Sequence, residues 1–162
     1  LVALAAVGVL AAGCGSNTSG SGGSGVGGYG SGGSTSSTGP SGVATVSAAS
    51  TKLGMVLVDG SGRTLYLFEK DQPNQSACTG ACVAAWPIDQ SSGTPKAGGG
   101  VKASLLGTIR RADGTTQVAY NGHPLYYYDG DSGAGQLNGQ DVDAFGAKWF
   151  VVTPAGGADT VA

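Results

Sequence analysis

One six-residue pattern occurs twice, as Tyr66-Leu67-Phe68-Glu69-Lys70-Asp71 and as Tyr126-Tyr127-Tyr128-Asp129-Gly130-Asp131. Both copies read Tyr-x-aromatic-x-x-Asp, both follow a leucine (Leu65 and Leu125), and 60 residues separate Tyr66 from Tyr126. A fixed period is the mark of one structural unit used twice, each copy burying its apolar face against the other. The copies share further landmarks: Leu53-Gly54 with Leu106-Gly107, Asp59-Gly60 with Asp113-Gly114, and Trp86 with Trp149.

In an extended strand, residues i and i+2 share a face. Tyr66 and Phe68 therefore point one way and Leu65 and Leu67 the other, and Tyr126 and Tyr128 stand likewise against Leu125 and Tyr127. The motif aspartates, Asp71 and Asp131, fall where the strand must already turn. This alternation suits aromatics that fill a core between the halves. Each carboxylate then accepts backbone N–H bonds in its turn, or a bond from a buried tyrosine hydroxyl. The functional alternative is an exposed aromatic strip with acidic rims, stacking on sugar rings or on a planar cofactor.

The surrounding pattern is that of strands. Met55 to Val58, the turn Asp59-Gly60-Ser61-Gly62, and Thr64 to Phe68 read as a hairpin. In the second copy, Leu105 to Arg111, Gln117 to Tyr120 and His123 to Tyr128 form a meander whose second turn, Asn121-Gly122, is a strong type I′ signal. Lys148 to Thr153 is the last strand, ended by Pro154. Only Ala81 to Trp86 suits a helical turn, stopped by Pro87, and 89–100 and 130–146 read as Gly-rich loops. The expected fold is all-β: a compact antiparallel sandwich or barrel of about seven or eight strands, with pseudo-two-fold character. Repeat 1 covers about 50–90 and repeat 2 about 104–154.

Of 162 residues, 32 are glycine, and only 11% are charged against roughly 25% in ordinary domains. Residues 15–43 are almost entirely Gly, Ser and Thr, which leaves about 110 residues for one folded domain. A net charge of −2 offers no basic field, which argues against a nucleic-acid partner.

Residues 1–12 are an uncharged apolar run, the length of a signal-peptide core and shorter than the ~20 residues that span a bilayer. Ala12-Gly13-Cys14-Gly15 follows, and small residues before such a cysteine resemble the lipobox of bacterial lipoproteins. The resemblance implies a diacylglycerol thioether on Cys14 and cleavage just before it. A basic stretch and an initiator methionine are expected upstream of Leu1. The expected organisation is a leader over 1–13, the lipidated cysteine and a flexible tether over 14–45, the β domain over 46–155 and a disordered tail over 156–162. A Gly/Ser tether of ~30 residues has an r.m.s. length of roughly 30 Å.

With Cys14 assigned to lipid, Cys78 and Cys82 make one pair, and export places them where disulfides persist. The loop they close is small, so the bridge pins a sharp turn. The chemical alternative is a copper site of Cys78, Cys82 and His123, since thiolates with an imidazole suit Cu(I). His123, between a tight turn and Pro124, otherwise reads as an exposed turn histidine. The pairs Asp129/Asp131 and Asp141/Asp143 read as solvated loop residues, without the spacing of a calcium loop. No nucleophile–base set is present, and the chain is read as a non-enzyme without a cofactor.

The two Tyr-x4-Asp units behind a lipobox, with Cys78-x-Gly80-x-Cys82 and Trp86-Pro87 in the first copy, resemble the bacterial secreted-repeat lipoproteins of unknown function over roughly residues 50–155. The resemblance implies an envelope lipoprotein and brings no activity with it. The expected partners are the membrane, through the lipid, and a wall polymer or another envelope protein. The domain is expected to be a monomer.

Overall fold

A computed structural model describes residues 42–161. The chain enters through β1 (Thr45–Thr51), turns, and returns as β2 (Gly54–Asp59), with Ala48 opposite Leu57. Asp59 then folds the chain back, its Oδ1 accepting the amides of Ser61 and Arg63 at 2.8 and 2.9 Å. That turn leads into β3 (Tyr66–Phe68), the strand of the first motif. A five-residue helix, α1 (Ala81–Ala85), follows and ends before Pro87. Beyond β4 (Lys96–Ala97) and a 3-10 turn (Ala103–Leu105), the second copy repeats the plan with β5 (Leu106–Arg110), β6 (Thr116–Tyr120) and β7 (His123–Pro124). Thr108 stands opposite Val118. Between β6 and β7, Asn121 and Gly122 both take positive φ (50° and 82°), the type I′ turn that Asn-Gly favours. β8 (Val142–Ala144) and β9 (Ala147–Val151) complete the domain.

The all-β class and the two tandem repeats hold. The arrangement differs from a sandwich or closed barrel: nine strands among the described residues form three three-stranded sheets, ordered β2-β1-β4, β3-β9-β8 and β5-β6-β7. One pairing, β1 with β4, is parallel, because the 89–100 segment leaves the first repeat alongside the incoming chain. Repeat 1 also receives its last neighbour from repeat 2, since β3 pairs with β9.

The sheets are joined by two triangular junctions, one per repeat. In the first, Leu65 donates to Leu57 O, Leu57 to Val152 O, and Val152 to Leu65 O. In the second, Leu125 donates to Val118 O, Val118 to Asp89 O, and Asp89 to Leu125 O. Leu65, Leu57 and Val152 are thus the structural mates of Leu125, Val118 and Asp89.

Strand alternation sorts the core into two clusters. Leu65, Leu67, Leu125 and Tyr127 join Val46, Leu57, Val118 and Val152. Tyr66, Phe68 and Tyr126 join Trp86, Trp149 and both Cys78 and Cys82. The expected disordered tail is instead ordered as far as it is described. Ala158 bridges to Val152, the Asp159 amide donates to Val151 O, and Gln140 Nε2 donates to Asp159 O. The leader over 1–13, Cys14 and the tether up to residue 41 lie outside the described residues, and β1 already begins at Thr45, the last residue of the expected tether.

Candidate functional site

The motif side chains are internal. Tyr66 and Tyr126 are fully buried and Phe68 nearly so, with only Tyr128 half-buried. This removes the exposed aromatic strip. Four rings stack as a column in the order Phe68, Trp149, Trp86, Tyr128, with centroid spacings of 4.1, 3.9 and 4.4 Å. Tyr66 meets Trp86 edge-on at 5.5 Å, and Tyr126 meets Trp149 the same way at 5.1 Å. The column is symmetric about its middle, where the two tryptophans face each other. Burying each indole contributes roughly 4–6 kcal/mol of gross transfer free energy.

The tyrosine hydroxyls cross between repeats. Tyr66 donates to Asp131 Oδ2 at 2.6 Å and Tyr126 donates to Asp71 Oδ2 at 2.7 Å. The other oxygen of each carboxylate accepts a loop amide, Asn138 N for Asp131 and Ala77 N for Asp71. Both expected roles of the aspartates, turn acceptor and tyrosine partner, are thus filled at once. Burial first, then the partner carboxylate's charge and hydrogen bond, push both phenols well above their ordinary pKa. They remain neutral donors. Burial likewise raises the Asp71 carboxyl against three lowering influences, led by the Ala77 amide.

Cys78 and Cys82 form a disulfide, Cα–Cα 5.3 Å, buried against the aromatic cluster. With both sulfurs joined, the copper alternative loses its thiolate ligands. No group of three His, Cys, Asp or Glu among the described residues is placed to hold a metal ion. His123 is half-buried in β7 rather than exposed, which lowers its pKa. Asp131 is held by Tyr66, and Asp141 pairs with Lys148 at 2.5 Å. Asp129 and Asp143 are exposed.

Two places break the symmetry, and sequence reading singled out neither. The first is Arg111, whose guanidinium donates to Ser76 Oγ, Gln117 Oε1 and Cys78 O at 2.6, 2.8 and 2.6 Å. Ser76 Oγ lies 2.7 Å from the Tyr126 hydroxyl, so this network braces the disulfide loop against the Tyr126–Asp71 pair. The second is Asp89. It is 1% exposed, at the position where the other repeat has the core residue Val152. The Tyr127 hydroxyl donates to its Oδ1 at 3.1 Å, while Oδ2 has no hydrogen-bond partner among the described residues. Burial raises its pKa to about 7; the Tyr127 bond opposes this and Asp59 adds to it. Asp89, Asp59, Tyr127 and Arg63 line a pocket of about 400 Å³ with the incoming residues Val43–Thr45. The Arg63 guanidinium sits 4.3 Å over the Tyr127 ring.

A family described as a secreted repeat of unknown function matches this chain twice, over residues 47–88 and 107–153. The chain belongs to the secreted-repeat family. The two matches coincide with the two halves related by the Tyr66–Tyr126 axis, and Asp89 lies one residue beyond the first of them. Membership in a family of secreted repeats places the chain outside the cytoplasm. No helix among the described residues is long and apolar enough to cross a membrane. No curated protein and no solved structure matches the chain.

The signal that could have found Asp89 is a comparison of the two copies after their tryptophans. Trp86-Pro87-Ile88-Asp89 aligns with Trp149-Phe150-Val151-Val152, which puts an acid where its mate has a valine. Arg111 lies at a strand end and carries no such local signal.

Proposed function

We propose that this secreted-repeat protein is a lipid-anchored component of the bacterial cell envelope, and that its folded domain is a non-catalytic binding or scaffolding module. Cys14 carries the anchor. The Gly/Ser segment holds the domain off the membrane, within reach of a wall polymer or another envelope protein. The domain acts as a monomer and uses no cofactor.

The observation that carries the binding role is the contrast between the two halves. Every symmetric motif group is spent on the interior, whereas the Asp89 pocket places a buried acid with a free oxygen where folding alone is served by valine. Departures of this kind from local folding rules concentrate at functional sites.

Two measurements test the reading. On detergent phase partitioning, the Cys14→Ala variant should move from the detergent phase to the aqueous phase; retention in the detergent phase rejects the anchor. That released variant should co-sediment with isolated cell envelopes, and Asp89→Asn should weaken the association. Co-sedimentation indifferent to Asp89 removes the pocket from the binding role.

A further inference from the structure

We propose that the Asp89 pocket receives the protonated primary amine of a small organic ligand. This rests on the reading of the pocket as the domain's binding face and names the chemical group it recognises.

Three observations converge on that group. The first is the orphaned acceptor. Asp89 lines the pocket, and its Oδ2 is buried just behind that wall and accepts nothing among the described residues. Either protonation state leaves a polar atom unsatisfied, and buried groups in that condition are rare in native proteins. A donor arriving from the pocket supplies what the oxygen lacks.

The second is charge. The charged side chains on the pocket wall are Asp59, Asp89 and Arg63. With both carboxylates ionised they leave one negative charge, which a monocation neutralises and a dication over-compensates. Arg63 does not fill the role itself, because no ion pair joins it to either carboxylate and its guanidinium lies over the Tyr127 ring.

The third is coordination and size. A primary ammonium has three donors and needs about three acceptors. Asp89 and Asp59 line this space, along with Ser61 of the turn and Thr45 of the incoming strand, and among them these residues carry enough acceptor oxygens for one ammonium. Calcium takes six to eight oxygens, several of them from carboxylates, and the described residues offer no cluster of three such ligands. The volume of about 400 Å³ exceeds what a bare ion requires and falls in the range of small-molecule sites.

The experiment is isothermal titration calorimetry of the detergent-solubilised full chain in amine-free phosphate buffer at pH 8. The probes are n-butylammonium, tetramethylammonium and n-butanol. Saturable binding of n-butylammonium, with neither comparison probe binding, is the expected result, since only the first carries both the charge and the N–H donors. Asp89→Asn should weaken it at least tenfold. Asp59→Asn, which keeps an acceptor for the Ser61 and Arg63 amides, should weaken it several-fold. Circular dichroism of each variant establishes that it is folded. Absence of saturable n-butylammonium binding overturns the proposal, as does equal affinity in folded Asp89→Asn. A parallel titration with calcium chloride in amine-free, phosphate-free buffer covers the metal alternative: Asp89-dependent saturation by calcium without ammonium binding makes this a metal site and also overturns it. If envelope co-sedimentation depends on Asp89 while n-butylammonium does not bind, the binding-module reading stands and the ammonium inference alone is lost.

Discussion

Tyr66 and Tyr126 are each other's backbone partners. The Tyr66 amide donates to Tyr126 O at 2.8 Å, and the Tyr126 amide returns to Tyr66 O at 3.0 Å. The pseudo-two-fold axis therefore passes between the two copies of the motif, and each hydroxyl reaches the aspartate of the other repeat. A repeat that supplies a tyrosine to its neighbour and receives one in return cannot complete its own motif alone. The hexapeptide is conditional grammar: its Tyr and its Asp belong to different sites.

That exchange is measurable as a coupling. Tyr66→Phe strips Asp131 of its closest donor and should cost about 1.5–3 kcal/mol, as expected for a hydrogen bond to a buried charged group. In double-mutant cycles read by urea denaturation, Tyr66→Phe should couple to Asp131→Asn by roughly 1 kcal/mol or more. With Asp71→Asn, in its own repeat, it should be additive within about 0.5 kcal/mol. Coupling to Asp71 instead would contradict the crossed arrangement.

The disulfide should stabilise without being essential. It joins residues four apart in sequence, and closing so short a loop is worth about 2 kcal/mol by chain entropy. The Cys78→Ala/Cys82→Ala protein should therefore fold with that loss, with a further effect wherever the Cys78 carbonyl shifts away from Arg111. Thiol titration of the unlipidated chain, denatured without reductant, should find one reactive thiol, Cys14. Three would place Cys78 and Cys82 in the reduced state and return the copper reading to consideration.

The sequence displayed the repeat, its strand alternation and the Asn121-Gly122 turn because each is local: periods of two residues and turn chemistry are written in neighbouring positions. The two-cluster core followed directly, with Leu65 and Leu67 on one side and Tyr66 and Phe68 on the other. What stayed hidden depends on long-range placement. No local signal tells that Tyr66 bonds Asp131 rather than Asp71, or that Trp86 stacks on Trp149 across the axis. The sheet architecture was missed for the same reason. The parallel β1–β4 pairing joins a Gly-rich segment that reads as loop to a strand some fifty residues earlier. Asp89 opens a segment that reads as Gly-rich loop, and its junction partners reveal it as the counterpart of Val152.

Asp89 should make stability fall as pH rises. Its folded pKa of about 7 stands above the ordinary value of 3.8. Between the two, the unfolded chain releases a proton that the folded chain retains. The contribution is therefore most favourable below about pH 4, is lost progressively toward pH 7, and is flat above. The linkage is on the order of 4 kcal/mol over that interval. The groups facing it are Asp59, Arg63 and Tyr127. Urea midpoints of the wild type should drop relative to Asp89→Asn between pH 4 and pH 8. Parallel profiles for the two proteins would mean that Asp89 titrates normally.

The rigidity of the aromatic column is open to a one-atom test at Gly139. A Cβ there would lie 2.8 Å from a Tyr66 ring carbon and 2.9 Å from a Trp86 ring carbon. Neither ring has room to yield. Tyr66 is fixed by its backbone bridge to Tyr126 and its bond to Asp131, and Trp86 is held between Trp149 and Tyr128. Gly139→Ala should therefore cost about 1–3 kcal/mol by overpacking, and the near-UV circular dichroism of the Trp86–Trp149 pair should change with it. Gly133→Ala is the matched control, since a Cβ at that position meets nothing within 4 Å, and it should lie within about 0.5 kcal/mol of the wild type. Equal stability of the two variants would show that the column slides to accommodate a methyl group, and the four stacked rings would then be a soft core rather than the fixed axis around which both repeats are built.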